Sequence, residues 1–181
     1  MALIIKEESN NNNSLDFLPS EENHVAVCVG VWDVGKQKSD FTGEVLIKHK
    51  VVIRWEIDEE ITEGEYKGKK KCVNKFYNLS LHEKSTLRKE IEGWVGKIPK
   101  EQLDNGFDLD SLRGKACMLN IVHSESKGKT YANVKGVTKI PKGITVFEPD
   151  NLQAYLENEP EFVEKIRVRF AETLETTNDE F

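Results

Sequence analysis

Lys48, Lys50 and Arg54 fall at even positions of one strand-like run and so share a face. Lys69, Lys70, Lys71 and Lys75 open the next run, while Lys36, Lys38, Lys127 and Lys129 stand in two loops. Trp32, Trp55, Phe76, Tyr77 and Tyr131 are interleaved with them. Cations that follow phosphates, with flat rings on which bases stack, are the chemistry of single-strand binding, where each good stack contributes roughly 1–3 kcal/mol. Tyr131 shares a face with Asn133 and Lys135, opposite Ala132 and Val134, and is the best stacking candidate. Trp32, at the mouth of the first loop, reads similarly. Phe76 is expected outward beside Asn74 and Asn78, with Tyr77 inward. Trp55 shares its face with Ile47, Val51 and Ile53 and belongs to the core. The expectation is that Lys48, Lys50, Arg54 and Tyr131 converge on one cationic cleft.

The layout of charge agrees. The chain carries net −6, from 26 Lys and Arg against 32 Asp and Glu. Residues 1–23 hold one cation and five carboxylates, and residues 147–181 hold three cations and ten carboxylates. By subtraction, residues 24–146 hold 22 cations against 17 anions, a basic middle of +5 between acidic ends. A basic domain on an acidic tail can bind a polyanion and still present an anionic tip to proteins. That tip ends in Asp179, Glu180 and Phe181. A charge of only +5 implies modest affinity with steep salt dependence, which self-association would strengthen. The tail could also compete for the domain's own groove.

Other chemistries find little support. His24, His49, His82 and His123 are dispersed at no metal-ligand spacing, so no metal is expected. Asp58, Glu59, Glu60 and Glu63 form a carboxylate-rich turn that reads as solvated. Lys84, Arg88 and Lys89 lie beside Glu83, Glu90 and Glu92 and read as a solvated helix face. No phosphate-binding glycine loop or nucleophile elbow occurs. The chain is expected to be no enzyme and to need no cofactor. Cys28, Cys72 and Cys117 form no C-x-x-C pair and read as reduced, buried thiols of a cytoplasmic protein. The opening Met-Ala-Leu-Ile-Ile-Lys is too short for a signal-peptide core, and no apolar run approaches the length of a membrane span.

The elements that must position these residues are mainly strands. Hydrophobic residues are 38% and charged residues 32%, which suits one domain of about 120 residues with solvated ends. Residues 1–22, with the polar Ser9–Ser14 tract, read as a flexible arm. His24–Asp33 alternates Val25, Val27, Val29 and Val31 against Ala26, Cys28 and Trp32. Val45–Ile57 and Lys71–Ser80 are the second and third strands, with a loop near 34–44 between the first two. Ser80 and Glu83 have capping-box spacing, and Leu87, Ile91, Trp94 and Val95 recur as on a helix stopped by Gly96 and Pro99. A polar excursion covers 100–114. Ala116–His123 and Lys129–Thr138 are two more strands joined by a turn over 124–128. Five strands with a helix between the third and fourth, over residues 23–146, is the order of the OB-fold barrel, a mainly β, α+β class. An SH3-like barrel or a small open sheet fits the same elements. Residues 147–174 read as short C-terminal helices, with Phe162, Ile166 and Phe170 as an apolar stripe, and 175–181 as an acidic disordered tip.

Three stretches in this order resemble a known group: Val31-Trp32-Asp33-Val34-Gly35-Lys36-Gln37, then Tyr77-Asn78-Leu79-Ser80-Leu81-His82-Glu83-Lys84-Ser85-Thr86-Leu87-Arg88-Lys89, then Asn120-Ile121-Val122-His123 with Lys129-Thr130-Tyr131-Ala132-Asn133-Val134. They resemble a family of small phage and prophage proteins found among replication and recombination genes and described as single-stranded DNA-binding. Separately, the acidic tip with its terminal Phe is similar to the tail by which bacterial and phage single-strand-binding proteins recruit replication enzymes. The resemblances imply a phage protein in the cytoplasm of a bacterial host. It would bind single-stranded DNA without strong sequence preference, protect replication or recombination intermediates, and recruit partners through Asp179, Glu180 and Phe181. From the residues alone, Trp32, Lys36, Lys38, Lys48, Lys50, Arg54, Lys71, Lys75, Phe76, Lys127, Lys129, Tyr131 and Lys135 are the nucleic-acid candidates. A competing reading is a protein-binding module acting on a recombinase, nuclease or host defence protein. A third is an accessory to replication initiation that prefers one origin sequence.

Overall fold

The computed structural model describes residues 17–41 and 44–175, and for 39–41, 44–45 and 170–175 the backbone alone. The tip residues Asp179, Glu180 and Phe181 and most of the N-terminal arm lie outside the described residues. Five strands, β1 (Asn23–Phe41), β2 (Glu44–Glu60), β3 (Lys70–Asn78), β4 (Ala116–Ser126) and β5 (Lys129–Thr138), form one antiparallel sheet in the order β3-β2-β1-β4-β5. Among the described residues four α-helices accompany it: α1 (Thr86–Val95), α2 (Lys100–Asn105), α3 (Leu152–Glu157) and α4 (Glu161–Glu175). A short 3-10 turn, Leu109–Leu112, precedes β4. The class is mainly β with a C-terminal helical segment. The outer strands β3 and β5 touch, but no ladder joins them among the described residues. No helix among the described residues is long and apolar enough to cross a membrane.

The main core lies on one face of the sheet. Val51, Ile53, Trp55 and Ile57 enter it from alternate positions of β2, as their period-2 spacing requires. Ile91 and Trp94 of α1 meet them from the other side, with the Trp55 and Trp94 rings 6.1 Å apart. Ile47 shares their parity but stands 59% exposed, because β2 has by then run beyond the core. Ser85, not Ser80, caps α1: its hydroxyl accepts from the Arg88 amide at 3.3 Å. Ser80 instead sits one turn upstream, where its hydroxyl accepts from the His82 amide and its carbonyl from the Ser85 hydroxyl. The expected polar excursion over 100–114 contains α2 and the 3-10 turn, which seats Leu112 in the core.

β1 departs from simple alternation. Its register against β2 slips between Cys28 and Gly30 and again between Asp33 and Gly35. A bulge inserts one residue and exchanges the faces beyond it. Val31 therefore joins Ala26 and Cys28 in the main core, and Trp32 turns to the opposite face, which reverses the side expected for Val31. On that opposite face Trp32, Val34 and Val52 build a second core with Val163 and Ile166 of α4. Gly30 makes room for it: a Cβ there would stand 1.9 Å from the Trp32 ring. The expected loop over 34–44 is strand almost throughout, so β1 and β2 continue past the core as a long two-stranded ribbon.

Candidate nucleic-acid interface

Four of the candidate cations sit on that ribbon. Gly35 adopts φ +78°, and its amide donates to the Asp33 carboxylate at 2.8 Å. The His49 Nε2 lies 2.6 Å from the same carboxylate. Burial would raise the Asp33 pKa, but the Gly35 amide and the His49 ring outweigh it and hold the group below the ordinary carboxylate value. The bulge pairs Gly35 with Lys50, Lys36 with His49, Gln37 with Lys48 and Lys38 with Ile47. Directly opposed residues share a face. Lys36 and Lys38 thus lie on one side of the ribbon, and Lys48 and Lys50 on the other. Lys36 and Lys38 are exposed; Lys48 and Lys50 are half-buried. Burial, and then the charge of Lys48, push the Lys50 ammonium below its ordinary value. An anion brought to this pair offsets the repulsion between the two ammonium groups.

A second group occupies the β4–β5 hairpin. Lys127 and Gly128 connect Ser126 to Lys129, both at positive φ (51° and 75°), the signature of a tight twisted turn. Lys127 and Lys129 are exposed at its tip. Tyr131 stands opposite Ser124 and half-exposed, on the face away from Ala132 and Val134 as expected. Asn133, on the same face, donates to the Ser124 hydroxyl at 2.7 Å. Lys135 is exposed at a register shift, bulged out between Val134 and Gly136, and so leaves the simple alternation that put it beside Tyr131.

Trp32, Arg54 and Phe76 form a third group, and here the expectation of open rings is corrected. Trp32 is 5% exposed, with Tyr155 and Phe162 against it edge-on at 5.6 and 5.5 Å and the Arg113 guanidinium 5.3 Å from its ring. Phe76 does point away from the main core, but it packs against the second core rather than standing free. The Arg54 guanidinium lies 3.8 Å from the centre of the Phe162 ring, and it donates to Asn74 at 2.7 Å and to the Tyr155 hydroxyl at 3.1 Å. The α3–α4 segment covers the whole group.

Lys71 and Lys75 are corrected too. Lys71 is buried, its ammonium donating to Glu59 at 2.7 Å and to the Leu18 carbonyl at 3.1 Å. Lys75 donates to Glu90 of α1 at 2.5 Å, and the Tyr77 hydroxyl donates to the same carboxylate. Burial first, then the Glu90 charge, hold the Tyr77 phenol well above its ordinary value. These lysines fasten elements together. Lys71 belongs to a brace the sequence did not reveal: His24, 2% exposed, places Nδ1 3.0 Å from Asp58, and Ser20 donates to Glu59. Ser20, His24 and Asp58 superficially resemble a hydrolytic triad. However, His24 Nε2 lies 2.9 Å from the Ser20 carbonyl against 3.3 Å from its hydroxyl, so the imidazole anchors the backbone. The last residues of the expected flexible arm, 17–22, are thereby fixed, with Leu18 buried. Only spatial proximity of Ser20 to Asp58 and Glu59, which lie at the end of β2 and not in the expected solvated turn, could have shown this.

The four residues expected in one cleft do not share one strand face. Arg54 is closed off beneath α3 and α4. Tyr131 and Lys50 lie toward opposite ends of β1: four residues of β4 and twelve of β1 separate their ladder positions, roughly 50 Å of strand path at 3.3 Å per residue. Two lysine-bearing hairpins and one covered cation–aromatic face hold the candidates. Among the described residues, no group of three or more His, Cys, Asp or Glu side chains could hold a metal ion. No protein-family model matches the chain, and no curated protein matches it.

Proposed function

We propose that this chain is an OB-type domain that binds single-stranded DNA through its β1–β2 ribbon and β4–β5 hairpin. The observation that carries the reading is where the solvent-reaching cations fall. OB-folds bind oligonucleotides with the loops between strands 1 and 2 and between strands 4 and 5, together with the face of strands 2 and 3. Lys36, Lys38, Lys48 and Lys50 occupy the first of these hairpins; Lys127, Lys129 and Lys135, with Tyr131, occupy the second. The strand order, the helix between β3 and β4, and the approach of β3 to β5 support an OB-type barrel left open at that seam. With few open rings, phosphate contact dominates, so binding is sequence-tolerant and salt-sensitive. In this reading the domain protects replication or recombination intermediates of a phage in its host's cytoplasm, and the acidic tip with Phe181 recruits partner proteins.

One observation favours the competing reading of a protein-binding module. Lys70, Lys71 and Lys75 are each held by a carboxylate, Glu60, Glu59 and Glu90, which leaves β3 little charge to offer phosphates. Fluorescence anisotropy with labelled oligo-dT and a duplex of equal length separates the two. Strand-selective binding that weakens steeply with salt supports the DNA reading. No binding at low salt overturns it in favour of the protein module.

A further inference from the structure

The covered face has the chemistry of a binding site, and its cover has the chemistry of a ligand. Arg54 and Phe76 stand on strands 2 and 3 with Trp32 beside them, a cation among rings. What occupies them is a segment of the same chain. Phe162 lies flat enough on Arg54 to bring the guanidinium carbon 3.8 Å from its ring centre, where a nucleobase would stack. Carboxylates flank it at Glu159, Glu161 and Glu164, paired within the segment to Arg167 and Lys165, and the segment 147–181 as a whole has seven more carboxylates than cations.

Polar contacts hold the cover to the sheet, among them Arg54 to the Tyr155 hydroxyl at 3.1 Å and the Lys70 amide to the Asp150 carboxylate at 2.8 Å. The buried Glu56 accepts from the Asp150 and Asn151 amides at 2.6 and 3.0 Å and from the Asn151 side chain at 2.6 Å. Arg113 donates to the Tyr155 carbonyl at 3.3 Å. Arg167 donates to the Asp33 carbonyl at 2.8 Å and pairs with Glu159. Burial of Val163 and Ile166 makes the closed form dominant.

We propose that the outer face of β1–β3 is a second single-strand-binding surface, held closed in cis by α3 and α4, with Phe162 in the place of a base on Arg54. The proposal rests on the single-strand reading above and extends it. DNA first engages the open hairpins, then competes for the covered face, and the helices lift away. The affinity seen from outside is reduced by the fraction of molecules that are closed.

Hydrogen exchange of the full-length chain with and without saturating dT30 tests this with no mutation. Amides of α4 are expected to exchange at least ~5-fold faster in the complex, while those of the β1–β2 ribbon slow down. In parallel, Phe162→Ala is expected to bind dT30 about tenfold more tightly, and Arg54→Ala in the Phe162→Ala background to cancel the gain. If dT30 binds while α4 exchange stays unchanged or slows, the cover is a permanent layer: this proposal falls and the single-strand reading stands. If neither the wild type nor Phe162→Ala binds dT30 at low salt, both fall. Binding by Phe162→Ala alone supports the covered face.

Discussion

Glu56 shows most clearly how one residue's position decides its meaning. By the alternation of β2 it shares the face of Arg54, yet its side chain is fully buried and receives three donors from residues 150 and 151. Glu56→Ala would leave those donors without their acceptor, at roughly 1–3 kcal/mol for each that stays buried. The urea midpoint is expected to fall accordingly, with Glu56→Gln retaining part of the loss; an unchanged midpoint would contradict the latch. The thiols give a pH-dependent counterpart. Burial pushes Cys28 up to about 12 from the ordinary 9.0, and Cys117 higher still. An unfolded thiol loses its proton near 9, so above that pH the unfolded state binds fewer protons than the folded one. Stability is therefore full below pH 9 and declines between 9 and 12, by up to about 1.4 kcal/mol per pH unit for each thiol. Denaturant midpoints across that range, compared with Cys28→Ala, check the sign. Trp55 in the core and Tyr131 facing outward were both legible from strand parity, because parity holds where no bulge intervenes. Trp32 was not, since a bulge two residues away leaves no mark in the pattern of apolar side chains.

At the scale of elements, the periodicity located every strand but not the length of the longest. The 34–44 stretch is polar and reads as a loop, yet cross-strand hydrogen bonds need no apolar side chains, and the ribbon continues through it. Helix α1 was legible from Leu87, Ile91 and Trp94, and its cap was misplaced by five residues because Ser80 and Ser85 both precede the apolar run. The ribbon makes a quantitative prediction. Replacing Lys36, Lys38, Lys48 and Lys50 with Ala should lower the slope of log affinity against log salt by about 0.7 for each phosphate of a single strand that is no longer neutralised. A variant with reduced affinity and an unchanged slope would place the phosphate-binding cations elsewhere. Gly30→Ala tests the junction between the two cores. Its methyl would collide with the Trp32 ring, so the indole must shift and α4 loosen, with a loss of about 1–3 kcal/mol typical of overpacking.

For the whole molecule, the basic middle and acidic ends visible in the sequence correspond to a sheet whose opposite faces do different work. One carries the main core; the other is covered across β1–β3 by the C-terminal segment. The C-terminal helices were anticipated from Phe162 and Ile166, but what they cover was not, because no local pattern says which surface an amphipathic helix will meet. The place of Arg54 beneath those helices escaped the sequence for the same reason. Tail competition is tested by deleting residues 175–181, which should tighten oligo-dT binding at low salt and abolish tip-dependent partner capture; unchanged affinity would rule the competition out. The most direct measurement of the central claim is photocrosslinking of the full-length chain to dT oligomers carrying a photoreactive base, with the adducts mapped by mass spectrometry. Adducts on the β1–β2 ribbon and the β4–β5 hairpin, Tyr131 among them, are the predicted result. Adducts confined to α1 and α2, or yields no higher than with duplex, would contradict it.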